Sequence, residues 1–146
     1  MLSITPLNPE LLPRLAISAF HYFDSYEHAI LRGALLDYAL HSGAEIALVS
    51  TLDGAILAEV RRKSKLQYFD LANVVTLCGA LGAVVGTLDA MLDQDTQVRL
   101  DGSSVSLRVS VLGSRYVLVA LFPGPIHREL SDLCARELHE RVKQWI

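Results

Sequence analysis

The side chains best able to do chemistry are scattered along this chain of 146 residues rather than gathered. Its five histidines, His21, His28, His41, His127 and His139, form no pair three or four apart, the spacing that brings two imidazoles to one helix face. Neither Cys78 nor Cys134 joins a histidine in a metal-binding pattern, so neither a metal nor another cofactor is expected. A serine or cysteine nucleophile needs a neighbouring base and a turn that presents it, and no such elbow is present. Gly79-x-x-Gly82 falls inside helix-forming sequence, which makes it a packing feature and not a dinucleotide fingerprint. Asp89, Asp93 and Asp95 solubilise a helix end. The chain is not expected to be an enzyme.

Its cations say little more. Arg61-Arg62-Lys63-Ser64-Lys65 reads as a solvated hairpin exit, with an acidic partner or an anionic membrane surface as the alternative. Thirteen basic and sixteen acidic residues leave a net charge of −3, the wrong sign for a nucleic-acid binder. Hydrophobic residues make up 51%, and a mean hydropathy of +0.34 points to surface hidden in an oligomer. The first fifteen residues lack the basic and continuous apolar regions of a signal peptide, and both thiols sit among apolar neighbours. A cytoplasmic protein with reduced cysteines is expected.

The elements that must position any contact are organised around Leu71–Leu92. From Leu71 to Leu88 no residue is charged. Read as a helix, the stretch has a heptad-spaced seam of small residues, Ala72, Thr76, Gly79, Ala83, Gly86 and Ala90. It also has a bulky stripe, Val74, Leu77, Leu81, Val84, Leu88 and Met91, suited to a sheet beneath it. A membrane span is disfavoured by flanking Asp70 and Asp89 and by the absence of an aromatic belt. The seam is therefore expected to face a close helix, either within the monomer or from a second protein. Three glycines in a helix cost roughly 1 kcal/mol each against alanine, so some packing should offset them.

Residues 1–24 hold three of the five prolines, Pro6, Pro9 and Pro13, and an apolar stripe through Leu12, Leu15, Ala16, Ala19, Phe20 and Phe23. They read as a docked helical extension before a domain of residues 25–146. Asp24 and Glu27 make a capping box, Leu31, Ala34, Leu35 and Tyr38 turn inward, and Gly43 stops the helix. Asp53-Gly54 between Ile46–Ser50 and Ala55–Val60 predicts a hairpin. After Asp93, Val98 and Leu100 alternate with polar neighbours. Val105, Leu107, Val109 and Val111 then alternate with Ser104, Ser106, Arg108 and Ser110, as in a strand with one wet face. Tyr116–Phe122 is a continuous apolar run, expected at the centre of a sheet. The last helix places Ile126, Leu130, Leu133, Cys134, Leu138, Val142 and Trp145 on one face. The order predicts an α+β sandwich: five antiparallel strands covered by helices.

This order and three local sequences resemble the roadblock (dynein light chain roadblock) family from about Asp24 onward. They are the hairpin IALVSTLDGAILAEV, the small-residue helix DLANVVTLCGALGAVVGTLDAML, and GSRYVLVALF followed by an amphipathic helix. The bacterial MglB-like proteins are the most similar branch. The resemblance implies a profilin-like fold and a homodimer joined through an edge strand, here Thr96, Gln97, Val98, Arg99 and Leu100. It also implies a non-catalytic regulator of a small Ras-like GTPase, contacting it through Ala72, Thr76, Gly79, Ala83, Gly86 and Ala90 without supplying a catalytic arginine. Two alternatives are a dimerising scaffold without GTPase activation, and a small-molecule sensor using a cavity between sheet and helices. No nucleic acid and no stable membrane insertion are expected.

Overall fold

A computed structural model of the chain describes residues 23–62, 71–92, 97–113 and 115–146, with the backbone alone for most of the first two turns of the long helix. The predicted N-terminal extension lies outside these residues except for Phe23 and Asp24. Helix α1 spans Ser25–Ser42. Asp24 and Glu27 close the capping box reciprocally, with bonds of 3.0 and 2.8 Å. Gly43 ends the helix at φ 85°, a left-handed conformation that glycine enters without a Cβ penalty. Strands β1 (Ile46–Thr51) and β2 (Ile56–Arg61) form the expected hairpin. The long helix α2 (Leu71–Leu92) follows. Then come β3 (Gln97–Leu100), β4 (Ser106–Leu112), β5 (Tyr116–Phe122) and α3 (Arg128–Val142).

All strand pairs are antiparallel, in the order β2-β1-β5-β4-β3. β5 is the central strand, and its continuous apolar run follows from burial on both faces. Tyr116, Leu118, Ala120 and Phe122 pack with α1 and α3, while Val117, Val119 and Leu121 share a cluster with Val85 of α2. One sheet thus separates two cores. Phe23 is tied to the first, its ring meeting Tyr116 at 5.9 Å and Trp145 at 6.2 Å, edge to face. Trp145 anchors the end of the chain, as its sequence position suggests.

Three expectations change. The serine and arginine face of β4 is dry: Ser106, Arg108 and Ser110 are all buried. α3 lies over that face, and Arg108 donates to the backbone oxygen and hydroxyl of Ser131 at 2.5 and 2.8 Å. Period-two polarity reports chemistry alternation, not which layer covers it. On α3 itself, Leu130 and Leu133 belong to the exposed side, at 37% and 47%, because only Ser131, Cys134, Leu138 and Val142 are buried. On α2 the bulky stripe is out of phase. Leu81 and fully buried Val85 pack on the sheet, whereas Val84 and Met91 are 50% and 74% exposed.

Candidate partner-binding surface

The helix seam and the sheet edge are the two features the sequence offers as a site, and each is positioned by its neighbours. The hairpin turn comes first. Thr51 N–H donates to Ala55 O at 2.9 Å, Gly54 N–H to Thr51 O at 3.0 Å, and the Thr51 hydroxyl both accepts from Ala55 N–H and donates to Asp53. Gly54 sits at φ 98°. This rigid turn lies directly against the glycines of α2. A Cβ on Gly82 would stand 2.5 Å from the Leu52 carbonyl oxygen, one on Gly86 3.3 Å from Leu52 Cδ2, and one on Gly79 3.4 Å from Asp53 O. Much of the glycine cost is therefore offset within the monomer, by close seating of the β1–β2 turn.

The proposed seam consequently divides. Thr76, Ala83 and Ala90 are exposed, Gly79 and Gly86 are half-buried beside the hairpin, and the Ala72 side chain lies outside the described residues. The face that remains open runs through Thr76, Ala80, Ala83, Val84, Thr87 and Ala90 to Met91. It bears no charge, and Asp89, the one charged residue of α2, is half-buried. The Thr87 hydroxyl is turned back onto Ala83 O at 2.8 Å, which further reduces the polarity presented to water. A helix normally covers its outer face with charge, so an uncharged, partly bulky outer face is unusual for a helix left in water.

The edge strand β3 pairs with β4 alone among the described strands, leaving its other side open; Thr96 lies outside the described residues. Val98 joins the α2-side cluster and Leu100, two residues on, is 57% exposed. Gln97 and Arg99 occupy the alternate face. There Arg99 stands directly opposite Arg108 in the ladder, an arrangement that repels. Asp132 of α3 resolves it: its Oδ1 is 3.2 Å from Arg108 Nη2 and 3.9 Å from Arg99 Nη1. Arg108 Nε also donates to Gln97 Oε1 at 3.0 Å, so a single buried guanidinium ties the edge strand to β4 and α3. The adjacent Tyr38 hydroxyl is buried, and burial pushes its pKa up while the Arg108 charge pulls it back.

Several other chemistry-bearing residues make structural contacts. His28 Nε2 contacts Leu57 O at 3.0 Å, and His127 Nδ1 accepts from Leu130 N–H at 3.2 Å as the cap of α3. Arg62 reaches back to Ala39 O and Ala44 O at 3.3 and 3.0 Å, capping α1, while Arg61 pairs with Glu59 at 3.1 Å. Lys63 and Lys65 lie outside the described residues. Cys134 is buried, and burial followed by the Glu137 charge raises its pKa. Among the described residues no three His, Cys, Asp or Glu side chains are placed to share a metal, and no helix is long and apolar enough to cross a membrane. The Arg99–Asp132–Arg108 network escaped sequence reasoning. Its only sequence signal is an arginine at an inward-facing register of β4, which becomes visible once α3 is known to cover that face.

An antiparallel five-stranded sheet with one long helix on one face and two helices on the other is a roadblock-like α+β sandwich. Its particular form is MglB-like. Myxococcus xanthus MglB superposes with a TM-score of 0.66 at 16% identity, over 84% of this chain and 92% of that chain. A structure described as MglB with tetrameric arrangement gives 0.67 at 17% identity, over 86% and 93%. A Roadblock/LC7 domain from Streptomyces avermitilis gives 0.56 at 15% identity, over 77% and 92%. No family model matches the sequence, and no curated protein does.

Proposed function

We propose that this chain is a non-catalytic, homodimeric regulator of a small Ras-like GTPase, acting in the cytoplasm through shape rather than chemistry. The observation that carries the reading is the uncharged outer face of α2, set beside an open sheet edge in an MglB-like fold. In the dimer, the edge segment from Thr96 to Leu100 meets its copy, covering Leu100 and bringing two α2 helices side by side. Thr76, Ala83 and Ala90 then form the platform, with Ala72, Gly79 and Gly86 at its margin. A smooth uncharged platform stabilises one arrangement of the GTPase switch loops by binding it better than the others, which shifts their population. The catalytic groups are the GTPase's own. The division into an N-terminal extension, residues 1–24, and a domain, residues 25–146, belongs to the same proposal, with Phe23 and Asp24 docked on the domain.

Capture from native cell lysate in the presence of GTP or GDP tests the reading, using the parent protein and Ala83→Arg. Ala83 is exposed, so the arginine leaves stability within about 0.5 kcal/mol. A Ras-like GTPase retained preferentially with GTP by the parent and lost by the variant is the expected result. A partner indifferent to nucleotide, or none beyond the protein itself, would instead favour a dimerising scaffold.

A further inference from the structure

On the sheet face opposite α2, the last helix does not close fully onto the strands beside it. A cleft of about 560 Å³ runs between β4 and α3, from Gln97 and Arg108 to Gly113 and Glu140. That size falls within the usual range of small-ligand sites. Part of its lining is apolar: Val111, Leu112, Leu118 and Ala135. Leu112 and Leu118 also belong to the core between sheet and helices, so this part of the cleft is built on packed side chains.

The charges around the cleft decide what it prefers. Both acids are already engaged: Asp132 by Arg108 at 3.2 Å, and Glu140 by Lys143, whose Nζ is 3.1 Å from each carboxylate oxygen. Arg108 is in turn occupied by Ser131 and Gln97. Arg136 lines the same cleft, is exposed, and has no ion pair among the described residues, and His139 lies one turn on. The uncompensated charge facing the cleft is thus positive, above an apolar lining.

We propose that this cleft binds a small organic anion, with one carboxylate, phosphate or sulfonate group on an apolar frame. Arg136 takes the anionic group, and Leu112, Leu118 and Ala135 receive the frame. The site lies on the opposite side of the sheet from the α2 platform and does not depend on a GTPase partner.

The test is a fluorescence titration of the full chain with 8-anilinonaphthalene-1-sulfonate, an apolar frame carrying one sulfonate, followed by displacement with decanoate or decanol. Arg136→Glu weakens dye binding at least about tenfold, as expected from losing a charge-assisted contact and adding repulsion. Arg128→Glu, on the same helix but outside the cleft, changes it less than about twofold, the scale of a remote exposed charge. Decanoate displaces the dye and decanol does not. Equal binding by Arg136→Glu, or equal displacement by decanol, overturns the proposal. So does loss of binding in Met91→Glu with retention in Arg136→Glu, which would put the dye on α2.

Discussion

Asp132→Asn is the sharpest perturbation of this fold, because it removes one carboxylate from between two arginines that the ladder places opposite each other. Arg108 is only 5% exposed, so its charge loses a counter-ion it cannot replace with water. Breaking a buried pair from one side costs about 3–5 kcal/mol. Asp132 is 32% exposed, so solvent screens part of its interaction, and about 2–3 kcal/mol is the expected loss. For a domain of this size that lowers Tm by about 5–10 °C. Urea unfolding followed by far-UV circular dichroism, at fixed protein concentration because association also adds stability, measures the loss directly. The mechanism makes a second demand. If repulsion between Arg99 and Arg108 is what Asp132 relieves, adding Arg99→Gln to Asp132→Asn should restore about 1 kcal/mol, although Arg99→Gln alone is nearly silent. A loss below about 0.5 kcal/mol, or a double variant no better than Asp132→Asn, would refute the clamp.

Two further predictions concern the glycines and the buried phenol. Gly82→Ala should destabilise by about 1–3 kcal/mol, since its methyl would meet the Leu52 carbonyl at 2.5 Å, whereas Gly79→Ala, at 3.4 Å from Asp53 O, should gain up to about 1 kcal/mol of helix propensity. Chemical denaturation of the two variants checks the contrast, and equal effects would place the hairpin elsewhere. Tyr38 has its folded pKa above the unfolded value, because burial disfavours the phenolate. Its contribution is present below about pH 10 and is lost as pH rises through the folded pKa. Stability should therefore fall with alkali more steeply in the parent than in Tyr38→Phe, and parallel curves would sink the assignment.

Most of the fold was legible because several local signals agreed. The capping box at Asp24, the stop at Gly43, the Asp53-Gly54 turn and the apolar run of β5 each fix an element, and their order admits few topologies. What was not legible is phase relative to layers. β4 alternates polar and apolar residues as a half-wet strand would, yet both faces are covered. Nothing local to β4 announces that α3 returns across it. Arg108 is tolerated there only because Ser131, Asp132 and Gln97 arrive from three other places in the chain.

The long helix shows the same limit in a form that bears on function. Small residues at heptad spacing require something close, but glycine and alanine do not report the same neighbour. Where the hairpin backbone approaches, even a methyl is excluded, and the chain has Gly82. Along the outer face a methyl is accommodated and only larger side chains are avoided, and the chain has Ala80, Ala83 and Ala90. The glycines therefore record contact already made inside the monomer, and in the proposed function the exposed alanines are left for contact with a partner. This division selects the useful probe. Arginine at Gly79 would strike the hairpin and report on folding, whereas arginine at Ala83 enters an exposed face and tests the proposed contact alone.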